Sequence, residues 1–274
     1  MEKDYKNFLG LGIAGNFALH LKQAGELEDF KDIITADEAA PKGVFPFYIP
    51  NNPTFLGTYP LSNDTILLPE VVVNVQAEPE VGLTCKLTYK DGKIDSITPT
   101  HFGAYNDTSL RKNAPKISLK KNWGSNSKGI SSQLIEIESF TKGSNIDNYR
   151  ICSFLRRDGN IFRYGEDVAL SGYSYFYEKL LSWIKNQINS QKDFGPLQDV
   201  FSLIQEAGFP EDLIISIGAT RYTEYGEHTF LQRGDEVIVA LYDSRIHCQN
   251  PVMNKMIAGE YNTDGISVLA QKVL

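Results

Sequence analysis

The residues best suited to chemistry lie in a few short stretches. Glu78 and Glu80 stand two apart in a run of alternating apolar and polar residues, so on a β-strand both carboxylates project from one face. Two hard oxygen donors held so close repel one another unless a proton or a cation intervenes. Such a pair is half of a Mg2+ or Mn2+ site, an ion that takes carboxylates and waters. It is also what a solvated strand face carrying two acids looks like. Asp107, in Asn106-Asp107-Thr108-Ser109-Leu110-Arg111, can be no more than the cap of a short helical turn when read alone. Lys128, after Trp123-Gly-Ser-Asn-Ser, reads alone as a solvated lysine, and His20 on the first helix reads alone as structural.

A further motif, Gly10-Leu-Gly12-Ile-Ala-Gly15 with Asp37 after a second apolar run, matches a dinucleotide fingerprint. That reading requires repeated strand–helix–strand units. Residues 60–170 supply no crossover helices, so the glycines read instead as a tight strand-to-helix turn.

The elements that must position these residues are mostly strands. A first unit, Lys6 to Asp37, reads as a short apolar strand, a helix and a second short strand near Ile33–Thr35. Residues 38–64 are a Pro-, Gly- and Asn-rich connection with a short strand around Phe45–Ile49. From Val71 to Tyr89 odd positions are apolar and even ones mostly polar, the pattern of a strand with one buried face. Pro79 within it predicts an edge position or a bulge. Asp91-Gly92 and Asp158-Gly159 predict hairpin turns. Two helices follow, about Tyr173–Ile188 and Pro196–Ala207, and then strands at Leu213–Ile217 and Glu236–Tyr242. Helices do not alternate with strands, so the class is β-rich α+β.

Composition excludes several functions. Lys and Arg number 27 against 34 Asp and Glu in 274 residues, a net charge of −7 with no basic block, which argues against a nucleic-acid binder. The three cysteines, Cys85, Cys152 and Cys248, are far apart and form neither a disulfide framework nor a zinc spacing; buried thiols in a reducing cytosol are expected. No run approaches the roughly 20 apolar residues of a membrane span. Glu2 and Asp4 precede the first apolar run, against a signal peptide, and the expected location is the cytoplasm.

Taken together, the stretches resemble the fumarylacetoacetate hydrolase family. Gly15-Asn16-Phe17-Ala18-Leu19-His20 is similar to that family's G-x-N-Y-x-x-H segment. Glu78-Pro79-Glu80 resembles its E-x-E metal pair, and Asn106 to Arg111 its N-D-x-S-x-R. Lys128 stands 21 residues after Asp107, where the family places a lysine after a Trp. Leu231-Gln-Arg-Gly234-Asp235-Glu-Val237 and Asn250-Pro251-Val252 resemble its closing motifs, so the likeness spans about residues 8–252. The departures are Gln23 where the family has a Glu paired with the His, Ala114 where many relatives have Gln, and Gly218-Ala219-Thr220-Arg221 in place of a glycine-threonine-proline turn. Glu26, six positions after His20, lies off the His face of a regular helix and substitutes poorly without a bend.

The resemblance implies a mixed β-roll or β-sandwich with a few flanking helices, one domain over residues 1–274 (an N-terminal segment, 1–64, and a β-roll core, 65–274), and a homodimer. It implies Mg2+ or Mn2+ on Glu78, Glu80 and Asp107, catalysis by His20 with Lys128 and Gln23, and substrate binding by Arg111, Asn16 and Thr220. The substrate would be a small anionic 2-oxo acid or 1,3-dicarbonyl processed through a metal-stabilised enolate, with hydrolysis, decarboxylation, hydration and isomerisation all open. Neither nucleic acid nor membrane is an expected partner. The competing readings are a catalytically weak member that binds metal and an acidic ligand, and a nicotinamide-dependent oxidoreductase resting on the glycine motif.

Overall fold

The computed structural model describes residues 4–35 and 37–274. Its strands are β1 Leu9–Ala14, β2 Gly43–Tyr48, β3 Leu61–Ser62, β4 Thr65–Ile66, β5 Val75–Gln76, β6 Pro79–Lys90, β7 Lys93–Asn106, β8 Ser109–Leu110, β9 Lys128–Ile130, β10 Ile135–Glu136, β11 Tyr149–Arg157, β12 Asn160–Ala169, β13 Asp212–Ser216, β14 Glu236–Asp243 and β15 Ile266–Val273. The helices are α1 His20–Gln23, α2 Ser118–Lys121, α3 Tyr177–Ser190, α4 Val200–Glu206, α5 Glu224–Glu227 and α6 Gln249–Ala258.

The described residues form three sheets. The largest runs β2-β1-β13-β6-β7-β9-β3, with β10 added beside β7; the second runs β12-β11-β14-β15-β4; β5 and β8 form a small ribbon. The core lies between the two large sheets, where Val81, Leu83 and Phe102 meet Ile151, Val239, Leu241 and Leu269 in one buried cluster. Helix α3 adds Leu180, Ile184 and Ile188, fully buried at helical spacing. At about 1.5–3 kcal/mol per buried side chain, this stripe fixes the helix against the core despite its polar outer face.

Asp91 and Gly92 both adopt positive φ, 51° and 70°, and join β6 to β7 in the two-residue hairpin that the sequence predicts. Asp158 and Gly159, at 50° and 76°, do the same for β11 and β12. Other elements differ from expectation. Ile33–Thr35 is not a strand, and the first helix is a single turn followed by a 3-10 turn at Leu27–Phe30. The helix expected from Tyr173 begins at Tyr177, and the one expected from Pro196 begins at Val200, capped by the Asp199 carboxylate on the Ser202 amide. Helix α6 is an addition, for its apolar stripe holds only two buried residues, Val252 and Met256.

The long alternation from Val71 also breaks. Val71 and Val72 are exposed, and β6 starts only at Pro79, which takes the first position of the strand, where a missing donor is tolerated. From Pro79 to Cys85 both faces of β6 are buried, because core lies on one side and the carboxylate site on the other. The glycines of the N-terminal motif are packing positions. A Cβ on Gly10 would lie 2.4 Å from the Phe47 ring, and one on Gly12 would lie 2.3 Å from Phe45. Glycine is required there by these rings, and no repeated strand–helix–strand units follow the motif, so the dinucleotide reading lacks the context it needs. All three cysteines are free, but Cys248 is exposed rather than buried.

Candidate active site

Two motifs 28 residues apart meet because they flank the open end of one hairpin. Pro79 pairs with Asn106 and Glu80 with Tyr105, so Glu78 and Glu80 at the start of β6 lie beside Asp107, just past β7. The corner is locked by backbone: the Asp107 amide donates to the Glu78 carbonyl at 2.9 Å, and the Glu78 amide donates to Asn106 Oδ1 at 3.0 Å. All three carboxylates are buried, and one oxygen of each lies within 4.8 Å of the others. Hard oxygen donors at this separation could hold a divalent metal ion, as the spacing in sequence suggests.

Cations surround the acids. Lys121, on the one-turn helix α2, stands 2.6 Å from Glu78 Oε2 and 2.6 Å from Asp107 Oδ2. Lys128, at the start of β9, pairs with Asp107 Oδ1 and lies over the Phe47 ring. Arg111, just after β8, reaches Glu78 Oε1 at 2.8 Å and Glu26 Oε1 at 3.0 Å, and donates to Gln76 and to the Tyr222 hydroxyl. Lys120 holds Glu26 at 2.6 Å and Asp29 at 2.9 Å. Burial alone would raise the Glu78 carboxyl, yet Lys121, Arg111 and His20 hold it far below the usual carboxylate range. Glu80 goes the other way: burial and the neighbouring Asp107 push its carboxyl well up, while the Gly218 amide, 2.9 Å from Oε2, opposes the shift.

The two ring nitrogens of His20 differ in their surroundings. Its Nδ1 lies 2.9 Å from the Thr220 carbonyl, which can only accept, so Nδ1 carries the proton and Nε2 keeps its lone pair. Burial lowers the pKa of the imidazole, and Nε2 has no hydrogen-bond partner among the described residues. His20, Glu78, Glu80, Asp107, Lys121 and Glu26 line one cavity of about 10 Å³, room for a single water-sized group. Larger hollows of about 330 and 580 Å³ are lined by none of the three carboxylates. A hollow of about 220 Å³, lined by Glu26, Asp29, Arg111, Lys112 and Lys120, adjoins the small cavity, with Glu26 on the wall of both.

The remaining expected residues serve elsewhere. Gln23 does not face the imidazole: its amide bonds the Tyr222 amide and carbonyl at 2.9 and 3.1 Å and Glu227 at 3.2 Å, latching α1 to the neighbouring loop. Asn16 spends its side chain on backbone, donating to Tyr175 and Ile217 and accepting from the Tyr175 amide. Thr220 acts through its carbonyl on His20, while its hydroxyl donates to the Pro79 carbonyl. Two residues that sequence reasoning passes over are central. Gly25, at φ 70°, turns the chain after α1 and brings Glu26 into the cluster, the bend that a regular helix lacks. Lys121, not Lys128, is the lysine on the cavity wall. Its signal is the Lys120-Lys121 pair beside Trp123, since clustered buried carboxylates need more cations than one Lys and one Arg.

No curated protein matches the chain in sequence. Solved structures share its fold. A protein from Yersinia pestis CO92 assigned to the fumarylacetoacetate hydrolase family superposes with a TM-score of 0.52 at 14% identity, over 97% of this chain and 93% of that one. The 5-carboxymethyl-2-hydroxymuconate delta-isomerase from Mycobacterium smegmatis gives 0.53 at 13%, over 97% and 78%. A 2-keto-3-deoxy-D-arabinonate dehydratase in its apo form gives 0.51 at 12%, over 97% and 72%. The fold is therefore that of the fumarylacetoacetate hydrolase family. In sequence, the model of a family of unknown function, DUF5718, matches residues 26–273, and the chain belongs to that family.

Proposed function

We propose that the protein is an enzyme acting on a small 2-oxo acid or 1,3-dicarbonyl, of the acylpyruvate or oxaloacetate kind, through a stabilised enolate. One observation carries the reading: three buried carboxylates meet at one corner of the fold beside a neutral imidazole with a free ring nitrogen. The structural relatives support it, since an isomerase and a dehydratase of small acids share this fold.

Glu78, Glu80 and Asp107 hold Mg2+ or Mn2+ in this reading, and the ion when bound supplies Lewis-acid stabilisation of the developing enolate. His20 Nε2 accepts the proton lost from the carbon acid, and the nearby Glu78 carboxylate stabilises the imidazolium so formed. The Thr220 carbonyl keeps the ring in the required tautomer. Arg111 and Lys120 bind the substrate carboxylate where they now bind Glu26. Lys128 stays on Asp107 and fixes its orientation.

Calorimetric titration with Mn2+, with and without oxalate as a planar enolate mimic, tests the site. Binding that tightens with oxalate and is lost in Glu80→Gln supports it and justifies a screen of acylpyruvates and oxaloacetate. No binding by the unmodified protein or by Lys121→Met, in which the ammonium between Glu78 and Asp107 is gone, removes the metal from the reading. A second reading, a family-like protein that binds an acidic ligand without efficient turnover, draws on the small cavity and on Gln23 facing away from His20. Robust turnover by the unmodified protein eliminates it.

A further inference from the structure

We infer that Lys121 is an internal cation that holds the metal position of this site, so that divalent ions bind only as its ammonium moves off Glu78 and Asp107. The inference rests on the proposed metal site and concerns what controls its occupancy. Each oxygen of Glu78 and Asp107 already faces a cationic nitrogen: Arg111 on Glu78 Oε1, Lys121 on Glu78 Oε2 and Asp107 Oδ2, and Lys128 on Asp107 Oδ1. Among the described residues Lys121 alone bridges two of the three carboxylates, the kind of connection a divalent ion would make in such a triad.

The charge balance agrees. Glu26, Glu78 and Asp107 are buried and each is ion-paired within the cluster, to Arg111, Lys120, Lys121 and Lys128, while Glu80 accepts from the Gly218 amide, so the charged carboxylates are already met by the chain's own cations. A divalent ion beside the intact Lys121 ammonium meets a like charge at close range where little water screens it. With that ammonium removed, Glu78 Oε2 and Asp107 Oδ2 are buried anions lacking a partner, and a hard dication satisfies both. The position of Lys121 also suits displacement. It ends a one-turn helix and its stem is flexible, and besides the two carboxylates the ammonium gives up a cation–π contact with the Phe45 ring, 5.5 Å away, when it moves.

Lys121→Met and Lys121→Gln test this by Mn2+ calorimetry and by the paramagnetic resonance signal of free Mn2+, neither of which needs turnover. Both variants are expected to bind Mn2+ at least about tenfold more tightly than the unmodified protein, because a buried like charge has been removed. Equal or weaker binding by the variants, with the unmodified protein binding well, overturns the inference and leaves the metal site standing. No binding by any of the three proteins overturns both. If the variants fail to fold alone, recovery with Mn2+ but not with Na+ supports the inference, and failure in both overturns it.

Discussion

His20, Gln23 and Asn16 show how differently neighbouring polar residues are used at one corner of the fold. The imidazole is buried against the Tyr222 ring with one nitrogen committed to the Thr220 carbonyl and the other free, and a glutamine of similar reach keeps a donor for that carbonyl while removing the proton acceptor. His20→Gln is expected to lower kcat about 10²–10⁴-fold with KM and the melting curve nearly unchanged, measured on whichever substrate the screen yields. Asn16→Ala should do the opposite. It removes three hydrogen bonds to buried backbone, two to Tyr175 and one to Ile217, and should cost roughly 2–4 kcal/mol in urea unfolding. Gln23→Glu restores the residue usual in the resembled family, yet here it sets a carboxylate against Glu227 and loses a donor to Tyr222. The expected result is a protein about 1–2 kcal/mol less stable with no gain in activity; a gain would mean that this latch releases in solution.

At the scale of elements, the site exists because a hairpin brings its two ends together and because α1 stops after one turn. The β6–β7 pairing was legible from alternation along the strands and the Asp-Gly turn between them, but its register was not: two shifts, at Thr84/Cys85 and Thr88/Tyr89, move the strands by two residues and bring Glu78 beside Asp107. The segment after α1 was not. A hydrophilic run with helical spacing reads as one helix, and only the turn at Gly25 places Glu26 between Arg111 and Lys120. This turn makes Glu26 the partition between the small cavity and the adjoining hollow. On the proposed reading an acidic substrate displaces it, since its carboxylate already holds Arg111 and Lys120. Glu26→Gln keeps the shape and removes the competing charge, so oxalate is expected to bind about three- to tenfold more tightly by calorimetry. Weaker binding would show that Glu26 organises Arg111 for the ligand instead of competing with it.

For the molecule as a whole, composition and turn signals were enough for a β-rich α+β fold, whereas the ion network was not readable. Its members come from separate stretches, around Glu26, Glu78, Asp107 to Arg111, and Lys120 to Lys128, and only tertiary packing decides that these charges are buried together. The tyrosines are a second property of the whole fold. The chain has 14 of them, and burial raises the phenol pKa of many in widely separated places, including Tyr5 near the amino terminus, Tyr89 on β6, Tyr164 on β12, Tyr173 before α3 and Tyr242 on β14. A group whose folded pKa lies above its unfolded value stabilises the fold below the unfolded value and loses that contribution as pH rises. In the unfolded chain phenols ionise near pH 10, so stability should begin to fall about there. Because these phenols are buried in one continuous structure, they should ionise together as it opens rather than one by one. An alkaline titration should therefore show the near-ultraviolet phenolate band and the loss of β-sheet circular dichroism rising at the same midpoint. Most phenols ionising near pH 10 while the sheet signal persists would contradict this account of their burial.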